Sequence, residues 1–343
     1  MFLNKIIGLF SKDIAMDLGT ANIVICIKDK GIVVNEPAVV AVQEDRFGKR
    51  KILAVGQEAK QMLGKTPPNI KAVKPIQGGV ISDFEITEIM IKHFINKIHN
   101  RKSFIKPRII ICVPFGVTPV ERNAVKDSAI NAGARDVILI EEPMAAAIGT
   151  GIPVSDPEGH LIVDIGAGTT EVAVTSLGGL VICKTSRAAG DKFDEAIINF
   201  VRQNYNLYIG EKAAEQIKIE IGTAVKLEHD LKMNVKGRDN AGFLSTIELN
   251  SESVRMAMNE LFKEIVMVIK NVLENIPPDL AADAVDNGVI LTGGGSLIRG
   301  LDTYIANAIK LPVKVSNDPL LAVAYGTNEV INNTKLLKII FNE

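Results

Sequence analysis

The sequence has few cysteines and no surplus of either charge. It contains 39 Lys and Arg against 40 Asp and Glu in 343 residues, and the formal net charge of −1 gives no electrostatic reason to expect nucleic-acid binding. Cys26, Cys112 and Cys183 each lie in an apolar run. This pattern predicts buried thiols in a reducing compartment rather than a disulfide framework. The four histidines lack the spacing of zinc ligands, and no apolar run approaches the roughly 20 residues of a membrane-spanning helix.

The remaining composition is that of an ordinary globular protein long enough for two domains, with 47% hydrophobic and 23% charged residues. Apolar strand-like runs alternate with helical stretches, which predicts an α/β fold. Clustered Gly and Pro place a domain break near residues 149–156, and Gly178-Gly179 predicts a hairpin. The predicted strands are 12–18, 22–28, 32–42, 108–113, 136–141, 160–165 and 288–292, and the predicted helices are 84–99, 119–132, 191–206, 210–222, 251–276 and 297–310.

Two short segments repeat one pattern, Asp17-Leu-Gly-Thr and Asp164-Ile-Gly-Ala-Gly-Thr-Thr. Each follows one apolar run and precedes another, which predicts a strand, a glycine turn and a returning strand. Glycines let backbone N–H groups approach anionic oxygens, and a carboxylate beside them can hold Mg²⁺ through water. A single Asp-x-Gly turn is common in ordinary folds. Two of them, about one domain length apart, predict a duplicated fold that holds a nucleotide between its halves.

Two further segments give weaker signals when taken alone. Glu142 lies at a predicted strand-to-helix junction, where an acidic residue usually only caps the helix. Gly293-Gly294-Gly295-Ser296 follows a predicted strand, and this run would let a base or a phosphate approach the backbone. A tight helix entry or a degenerate dinucleotide loop would give the same pattern, although the Gly-x-Gly-x-x-Gly spacing of a nicotinamide dehydrogenase is absent.

The order of these four segments resembles the superfamily of actin, sugar kinases and 70-kDa heat-shock chaperones, and within it the bacterial actins of the MreB family. The resemblance extends from the first residues to about residue 330, with motifs at 17–22, 140–149, 168–174, 190–197, 214–218 and 291–295. It implies an actin-like ATPase fold, in which two duplicated ribonuclease H-like lobes hold a nucleotide cleft between them. Lobe I would span 13–148, with a smaller subdomain at about 32–75 and a returning C-terminal helix at about 319–343. Lobe II would span 149–318, with a smaller subdomain at about 187–252.

The resemblance also implies which residues bind the nucleotide and its metal. Asp17 and Asp164 would hold Mg²⁺ through its water shell. The residues that would contact the phosphates or the adenosine are Gly19, Thr20, Ala21, Asn22, Gly166, Ala167, Gly168, Thr169, Thr170, Gly190, Glu215, Lys218, Gly293, Gly294, Gly295 and Ser296.

The same resemblance implies a catalytic set. Glu142 would position the attacking water, with Asp164 and Thr169 completing the set, because phosphoryl transfer needs charge neutralisation and an aligned nucleophile. Glu215 and Lys218, at i and i+3 of a predicted helix, would contact the ribose and adenine. From the pattern alone, a surface ion pair is the alternative for these two residues.

The sequence departs from the family pattern at two positions where glycine is usual, Ala167 and Ala189. The Ala167 methyl group is compatible with phosphate binding if its φ angle is negative. The Ala189 methyl group stands where the backbone is expected to approach phosphate. We therefore expect nucleotide binding to be retained, while the hydrolysis rate is left open.

Residues 1–12 predict an amphipathic helix. At about 100° per residue its apolar side chains fall within one arc of roughly 160°, and Lys5 and Lys12 lie on the other side. Such a segment suits a membrane interface, and the alternative is a terminal helix packed on its own domain. Phe104-Ile105 resembles the family's second membrane contact, although packing would explain it equally well. The residues predicted to touch the membrane are Phe2, Leu3, Ile6, Ile7, Leu9, Phe10, Phe104 and Ile105.

The implied function is that of a cytoplasmic ATP-binding and ATP-hydrolysing bacterial actin, with ATP/ADP and Mg²⁺ as ligands. It would polymerise into paired protofilaments on the inner face of the cell membrane and act with membrane proteins of cell elongation or cell shape. Alternatives with the same fold are a non-filamentous sugar or acetate kinase and a chaperone-type ATPase. A kinase needs an acceptor pocket with a catalytic base, and no candidate base stands out beyond the phosphate motifs. A chaperone needs a further peptide-binding domain, which 343 residues are not expected to hold.

Overall fold

The chain forms two compact units in this computed structural model, which describes residues 13–44, 50–98 and 106–341. The first unit consists of the described residues within 1–157, 177–179 and 321–343, and the second unit consists of residues 158–176 and 180–320. The described residues include no helix long and apolar enough to cross a membrane.

The first unit contains ten strands and six helices among its described residues. Its strands are β1 (Ile14–Leu18), β2 (Asn22–Ile27), β3 (Gly31–Pro37), β4 (Val40–Glu44), β5 (Arg50–Val55), β6 (Ile70–Val73), β7 (Ile76–Gln77), β8 (Val80–Ile81), β9 (Arg108–Val113) and β10 (Asp136–Glu141). Its helices are α1 (Gln57–Met62), α2 (Phe84–Ile98), α3 (Pro119–Asn131) and α4 (Glu142–Gly149), followed at the end of the chain by α10 (Ala322–Asn332) and α11 (Thr334–Phe341).

The second unit contains eight strands and five α-helices. Its strands are β11 (His160–Ile165), β12 (Thr170–Ser176), β13 (Gly179–Ser186), β14 (Leu207–Tyr208), β15 (Lys232–Asp239), β16 (Leu244–Asn250), β17 (Val289–Thr292) and β18 (Val313–Val315). Its helices are α5 (Gly190–Tyr205), α6 (Glu211–Ile221), α7 (Ser251–Asn275), α8 (Pro278–Asn287) and α9 (Leu301–Ile309), and a 3₁₀ turn spans Gly294–Leu297.

The central sheets of the two units have the same topology. The first has the strand order β3-β2-β1-β9-β10, and the second has the order β13-β12-β11-β17-β18. In each sheet the first hairpin is antiparallel, and the two strands that continue the sheet on the other side run parallel to its opening strand. This repetition confirms the duplicated α/β fold that the two Asp segments predict.

Each unit has its own apolar core. In the first, Met90 and Phe94 of α2 are fully buried in a cluster with residues of β1 and β9. In the second, Phe193 of α5 and Phe262 of α7 are fully buried, and their ring centroids lie 5.4 Å apart. Burying one such side chain stabilises the fold by roughly 1.5–3 kcal/mol. The strands whose ends carry the predicted site therefore belong to well-packed sheets.

Most predicted elements are present, and three predicted strands, 108–113, 136–141 and 160–165, have the predicted bounds. The prediction of one strand over 32–42 is wrong. The chain turns at Ala38, whose N–H donates to the Ala21 carbonyl at 2.9 Å, and β4 joins a separate sheet of order β5-β4-β6. The predicted helix 297–310 begins only at Leu301, because Gly300 adopts a left-handed conformation with φ of 69°.

Candidate functional site

The candidate site of the first unit lies at the carboxyl ends of three parallel strands. Asp17 of β1 pairs in register with Cys112 of β9, which pairs with Ile140 of β10. Glu142 follows the last residue of β10. Ligands of open α/β sheets bind outside the carboxyl ends of parallel strands, so the topology brings these two carboxylates to the edge where a ligand is expected.

The charges of these carboxylates act on two buried thiols of the same sheet. Burial raises the pKa of Cys112 well above its usual value, and the negative charges of Asp17 and Glu142 raise it further. Burial, and then the Asp17 charge, raise the pKa of Cys26 to about 12. Cys112 also shares a hydrogen bond of 2.9 Å with the Thr327 hydroxyl. The three cysteines are buried free thiols, as the sequence predicts, and two of them, Cys26 and Cys112, lie on β2 and β9 of this sheet.

The first hairpin is anchored within its own unit. A Cβ atom at Gly19 would lie 2.8 Å from the Asn22 carbonyl oxygen, so only glycine fits the turn. The Thr20 hydroxyl accepts a hydrogen bond of 3.2 Å from the Gly79 N–H. The Ala21 carbonyl accepts one of 2.9 Å from the Ala38 N–H. Both bonds tie the loop to other parts of the first unit.

Glu142 begins α4 directly after β10, with Pro143 in the first turn. The preceding residue, Glu141, forms an ion pair with Arg122 of α3. Further along, α4 packs backbone to backbone against α10, where a Cβ atom at Gly326 would collide with the Ala145 carbonyl oxygen. The junction that presents Glu142 is therefore held on both sides.

The second hairpin repeats the first at the same register position. Asp17 and Asp164 each precede the last paired residues of their hairpin, which are Leu18 with Ile23 and Ile165 with Thr170. Each loop holds the four residues between those pairs, 19–22 and 166–169. The Gly166 N–H donates to the Thr169 carbonyl at 2.9 Å and closes the second turn.

Asp164 is the most desolvated carboxylate of the candidate site. It is 6% exposed, and burial raises its pKa to about 7. It pairs in register with Thr292, the last residue of β17. A carboxylate in this environment is stabilised in its charged form by a bound cation or a donated hydrogen bond.

The start of α5 supports the second hairpin. The Gly190 N–H donates to the Gly166 carbonyl at 3.0 Å, and the Asp191 N–H donates to the Ala167 carbonyl at 2.8 Å. Ala167 has a negative φ, which meets the condition for tolerating its methyl group. Ala189 has an extended backbone with φ of −145°, which any residue adopts. In the structure, Gly190 therefore contacts the hairpin backbone directly.

The glycine run after β17 packs on the end of β11. Gly293 has a φ of 78°, and a Cβ atom there would collide with the Ile165 carbonyl and the Asp164 carboxylate. A Cβ atom at Gly295 would collide with the Ile165 side chain. The Ser296 hydroxyl donates to the Gly293 carbonyl at 2.7 Å. Close packing thus accounts for Gly293 and Gly295, whereas Gly294 is exposed.

Five other predicted site residues lie in the second unit. Thr170 is fully buried, and its hydroxyl donates to the Ala188 carbonyl at 2.6 Å. Lys218 pairs with Asp194 of α5 at 2.9 Å. Glu215 lies one turn before Lys218 on α6 and is half-buried. Gly168 is buried, and Thr169 is half-buried in the loop.

Sequence reasoning missed the residues that hold the predicted ones in place. Gly79 and Asp194 bond to the predicted residues Thr20 and Lys218, and Arg122 pairs with Glu141, the residue before the predicted Glu142. The Gly78-Gly79 doublet was a visible turn signal, but the two ion pairs left no local pattern. The predicted membrane residues, Phe2, Leu3, Ile6, Ile7, Leu9, Phe10, Phe104 and Ile105, lie outside the described residues.

Comparison with known proteins gives relatives that match nearly the whole chain. A family model described as MreB/Mbl protein matches residues 11–339. The cell shape-determining protein MreB of Escherichia coli (strain K12) is 50% identical over 333 residues, which cover 96% of each chain. The cell shape-determining protein Mbl of Bacillus subtilis (strain 168) is 47% identical over 326 residues, covering 95% of this chain and 97% of Mbl. Two crystal structures of MreB5 of Spiroplasma citri, one bound to AMPPNP and one to ADP, each match with a TM-score of 0.90 and 37% sequence identity. Each match covers 97% of this chain, together with 98% of the AMPPNP-bound chain and 99% of the ADP-bound chain.

Proposed function

The chain belongs to the MreB/Mbl family, and we propose that it is an ATP-hydrolysing bacterial actin whose two hairpins bind one Mg²⁺-nucleotide. The predicted actin-like fold and the family resemblance are confirmed. The protein is an actin-like cytoskeletal protein of the kind that determines cell shape. Hydrolysis, the metal and the individual site residues belong to the proposal.

The observation that carries the proposal is the equivalence of the two hairpins. Asp17 and Asp164 occupy the same position, one residue before the last paired residues of a four-residue turn, at the carboxyl end of a strand flanked by a parallel partner. A polyphosphate carries charge over several oxygens, so two such turns with donor N–H groups suit it. The MreB5 relative was crystallised with AMPPNP and with ADP, which supports nucleotide binding by this chain.

The donor set fits Mg²⁺ held mainly by phosphate and water. Asp164 is a buried carboxylate whose desolvation a cation would offset. The described residues contain no group of three or more His, Cys, Asp or Glu side chains arranged around a metal. Mg²⁺ commonly keeps several waters and binds through one or two carboxylates plus substrate phosphates. Bound there, the ion would neutralise charge on the phosphate oxygens.

Glu142 is the residue we assign to water positioning. It leaves β10 at the same sheet edge as Asp17, and Glu141 just before it pairs with Arg122 of α3. Thr169 lies in the second loop, close to Asp164 along the hairpin. Catalysis of phosphoryl transfer by positioning requires this kind of pre-formed geometry.

The membrane part of the proposal rests on where two undescribed segments join the fold. Residues 1–12 lead into β1 and residues 99–105 lead towards β9, and these strands pair in register from Ile14 with Ile109. Both segments therefore join the same edge of the sheet, opposite the edge that carries Asp17. Arg108 and Arg135 both pair with Asp13 there, at 2.9 and 3.5 Å. Arg108 also lies in register with Asp136, so the common position of the two segments, rather than an excess of positive charge, carries this part of the proposal.

Filament formation follows from the family, and the paired protofilaments, the inner face of the cell membrane and cell-shape membrane proteins are its proposed setting. One assay tests both nucleotide use and assembly. The wild-type protein is centrifuged with Mg²⁺-ATP, with Mg²⁺-ADP and with EDTA, and phosphate release is followed in parallel. We expect sedimentation and phosphate release with Mg²⁺-ATP only.

The matched variants are Asp17→Asn, which removes a proposed metal contact, and Asp286→Asn, an exposed residue of α8. Asp17→Asn should lose both signals, and Asp286→Asn should keep them. Equal sedimentation of the wild-type protein in EDTA and in Mg²⁺-ATP, without phosphate release, would overturn the proposal. Transfer of phosphate to a sugar without sedimentation would instead identify a kinase.

A further inference from the structure

A largely buried ion pair joins helices α5 and α6 of the second unit. The Lys218 Nζ atom of α6 lies 2.9 Å from Oδ1 of Asp194 in α5, and both side chains are only 15% exposed. The same ammonium donates a hydrogen bond of 3.0 Å to the Gly190 carbonyl. Lys218 is therefore held between a carboxylate and the first residue of α5.

Gly190 connects this pair to the hairpin. Its own N–H donates to the Gly166 carbonyl, and the N–H of Asp191 donates to the Ala167 carbonyl. A Cβ atom at Gly190 would lie 3.1 Å from the Ala167 Cα atom, which is closer than most Cβ contacts. A continuous series of contacts thus runs from the Asp194 carboxylate through Lys218 and Gly190 to Gly166.

On the basis of the nucleotide site proposed above, we propose that Asp194 is a positioning residue for nucleotide binding. It holds the Lys218 ammonium on the Gly190 carbonyl and so couples helix α6 to the geometry of the phosphate hairpin. A nucleotide that engages α6 then meets a hairpin already in its binding conformation.

The energetics of buried pairs favour this role over a purely stabilising one. Taking two charges out of water costs about as much as their attraction returns, so such a pair is often no more stable than apolar side chains of similar size. Losing one partner is different, because it leaves the other charge buried and alone. The main effect of the pair is therefore to fix the position of the Lys218 ammonium, and its contribution to the free energy of unfolding is small.

The charges around Asp194 make the pair sensitive to pH. Burial raises the pKa of Asp194 to about 6, the Lys218 charge opposes this rise, and the charges of Glu215 and Asp191 add to it. These are the charged groups that act on Asp194 from α5 and α6. Protonation of Asp194 as the pH falls through about 6 removes the attraction that holds Lys218.

The test compares four proteins in the full-length chain, with ATP and Mg²⁺ as the ligand in calorimetry. Asp194→Asn removes one charge, and the double variant Asp194→Leu/Lys218→Met replaces the pair by apolar groups. Glu195→Gln is the control, because Glu195 makes an exposed ion pair with Lys192 on the same helix. We expect about tenfold weaker ATP binding for both Asp194 variants and unchanged binding for Glu195→Gln.

The double variant separates positioning from stability. Its unfolding midpoint should equal or exceed that of the wild-type protein, while its ATP affinity stays about tenfold weaker. Amide hydrogen exchange at Gly190 and Asp191 should be faster than in the wild-type protein. Between pH 7.5 and 5.5 the wild-type affinity should fall further than that of the double variant, because protonation of Asp164 weakens binding in both proteins and protonation of Asp194 in the wild-type protein only.

Wild-type ATP affinity in a folded double variant, with wild-type exchange at Gly190 and Asp191, would overturn this inference and leave the proposed function intact. Failure of the wild-type protein to bind ATP would overturn the proposed function and the inference together. If Asp194→Asn does not fold, amide exchange at Gly190 and Asp191 in the double variant decides, because this readout does not depend on the predicted contact of Lys218 with the ribose and adenine.

Discussion

At the scale of single residues, Asp164 combines a cost in stability with a proposed role in binding. Its carboxylate is 6% exposed, and burial alone raises its pKa to about 7. Such a residue is unfavourable for folding when charged, and a polyphosphate-bound cation would remove that cost. Active-site groups commonly show this opposition between stability and function.

The raised pKa of Asp164 predicts how the stability of the metal-free, nucleotide-free protein depends on pH. The folded-state pKa of Asp164 lies above its unfolded value near 3.8, so the folded state keeps the proton to higher pH. Its contribution to the free energy of unfolding is full below about pH 4 and is lost as the pH rises to about 7. Asp164→Asn should therefore raise the thermal midpoint at pH 8 in EDTA while abolishing nucleotide binding. A lower midpoint at pH 8 would contradict this reading.

Glu142 gives the second prediction at this scale. Glu142→Ala should slow phosphate release by about 100-fold or more, because general-base and positioning groups contribute on that order. Nucleotide affinity should change little, since the side chain is assigned to the attacking water. Single-turnover phosphate release and calorimetric ATP binding measure the two effects. Unchanged turnover would remove Glu142 from the proposed catalytic set.

Gly293 gives the third prediction at the residue scale. Gly293→Ala should destabilise the protein by about 1–3 kcal/mol, because its φ is 78° and the added methyl group would collide with Ile165 and Asp164. The matched control is Gly294→Ala, at an exposed position where the nearest atom would be the Leu320 side chain at 3.2 Å. Urea unfolding of the two variants gives the comparison. Equal midpoints would show that the close packing at Gly293 is not needed.

At the scale of elements, the hairpins and the α4–α10 contact organise the candidate site. The hairpins could be predicted from sequence because strand, glycine turn and strand are local patterns. The α4–α10 contact could not, because Gly149 and Gly326 are distant in sequence and lie in ordinary helical stretches. The two helix backbones approach each other closely at both glycines. A Cβ atom at Gly149 would collide with the Ala322 carbonyl, and one at Gly326 would collide with the Ala145 carbonyl.

The N-terminal segment gives the prediction at this scale. Deleting residues 1–10 should weaken binding to liposomes of anionic phospholipid while leaving Mg²⁺-ATP-dependent sedimentation in place, because β1 begins only at Ile14. Flotation with and without the segment measures the loss. Undiminished lipid binding would transfer the role to Phe104-Ile105 or to another surface.

At the scale of the whole molecule, the sequence predicted the duplicated topology better than the network that supports it. The spacing of the two Asp segments predicted two equivalent units, and the common strand order confirms this. The single predicted strand over 32–42 was wrong because an apolar run shows no sign of the turn at Ala38 that passes the chain to a second sheet. The partners of Thr20, Glu141 and Lys218 come from long-range packing, which periodicity and local motifs do not report.

The most direct test of the central claim is a crystal structure of the full chain with AMPPNP and Mn²⁺ in place of Mg²⁺, read by the anomalous signal of the metal. We predict one Mn²⁺ site at the β- and γ-phosphates, with Asp17 and Asp164 both contacting its water shell and the loops 19–22 and 166–169 donating N–H groups to the phosphates. A nucleotide bound away from both loops, or a metal with neither aspartate near it, would contradict the account.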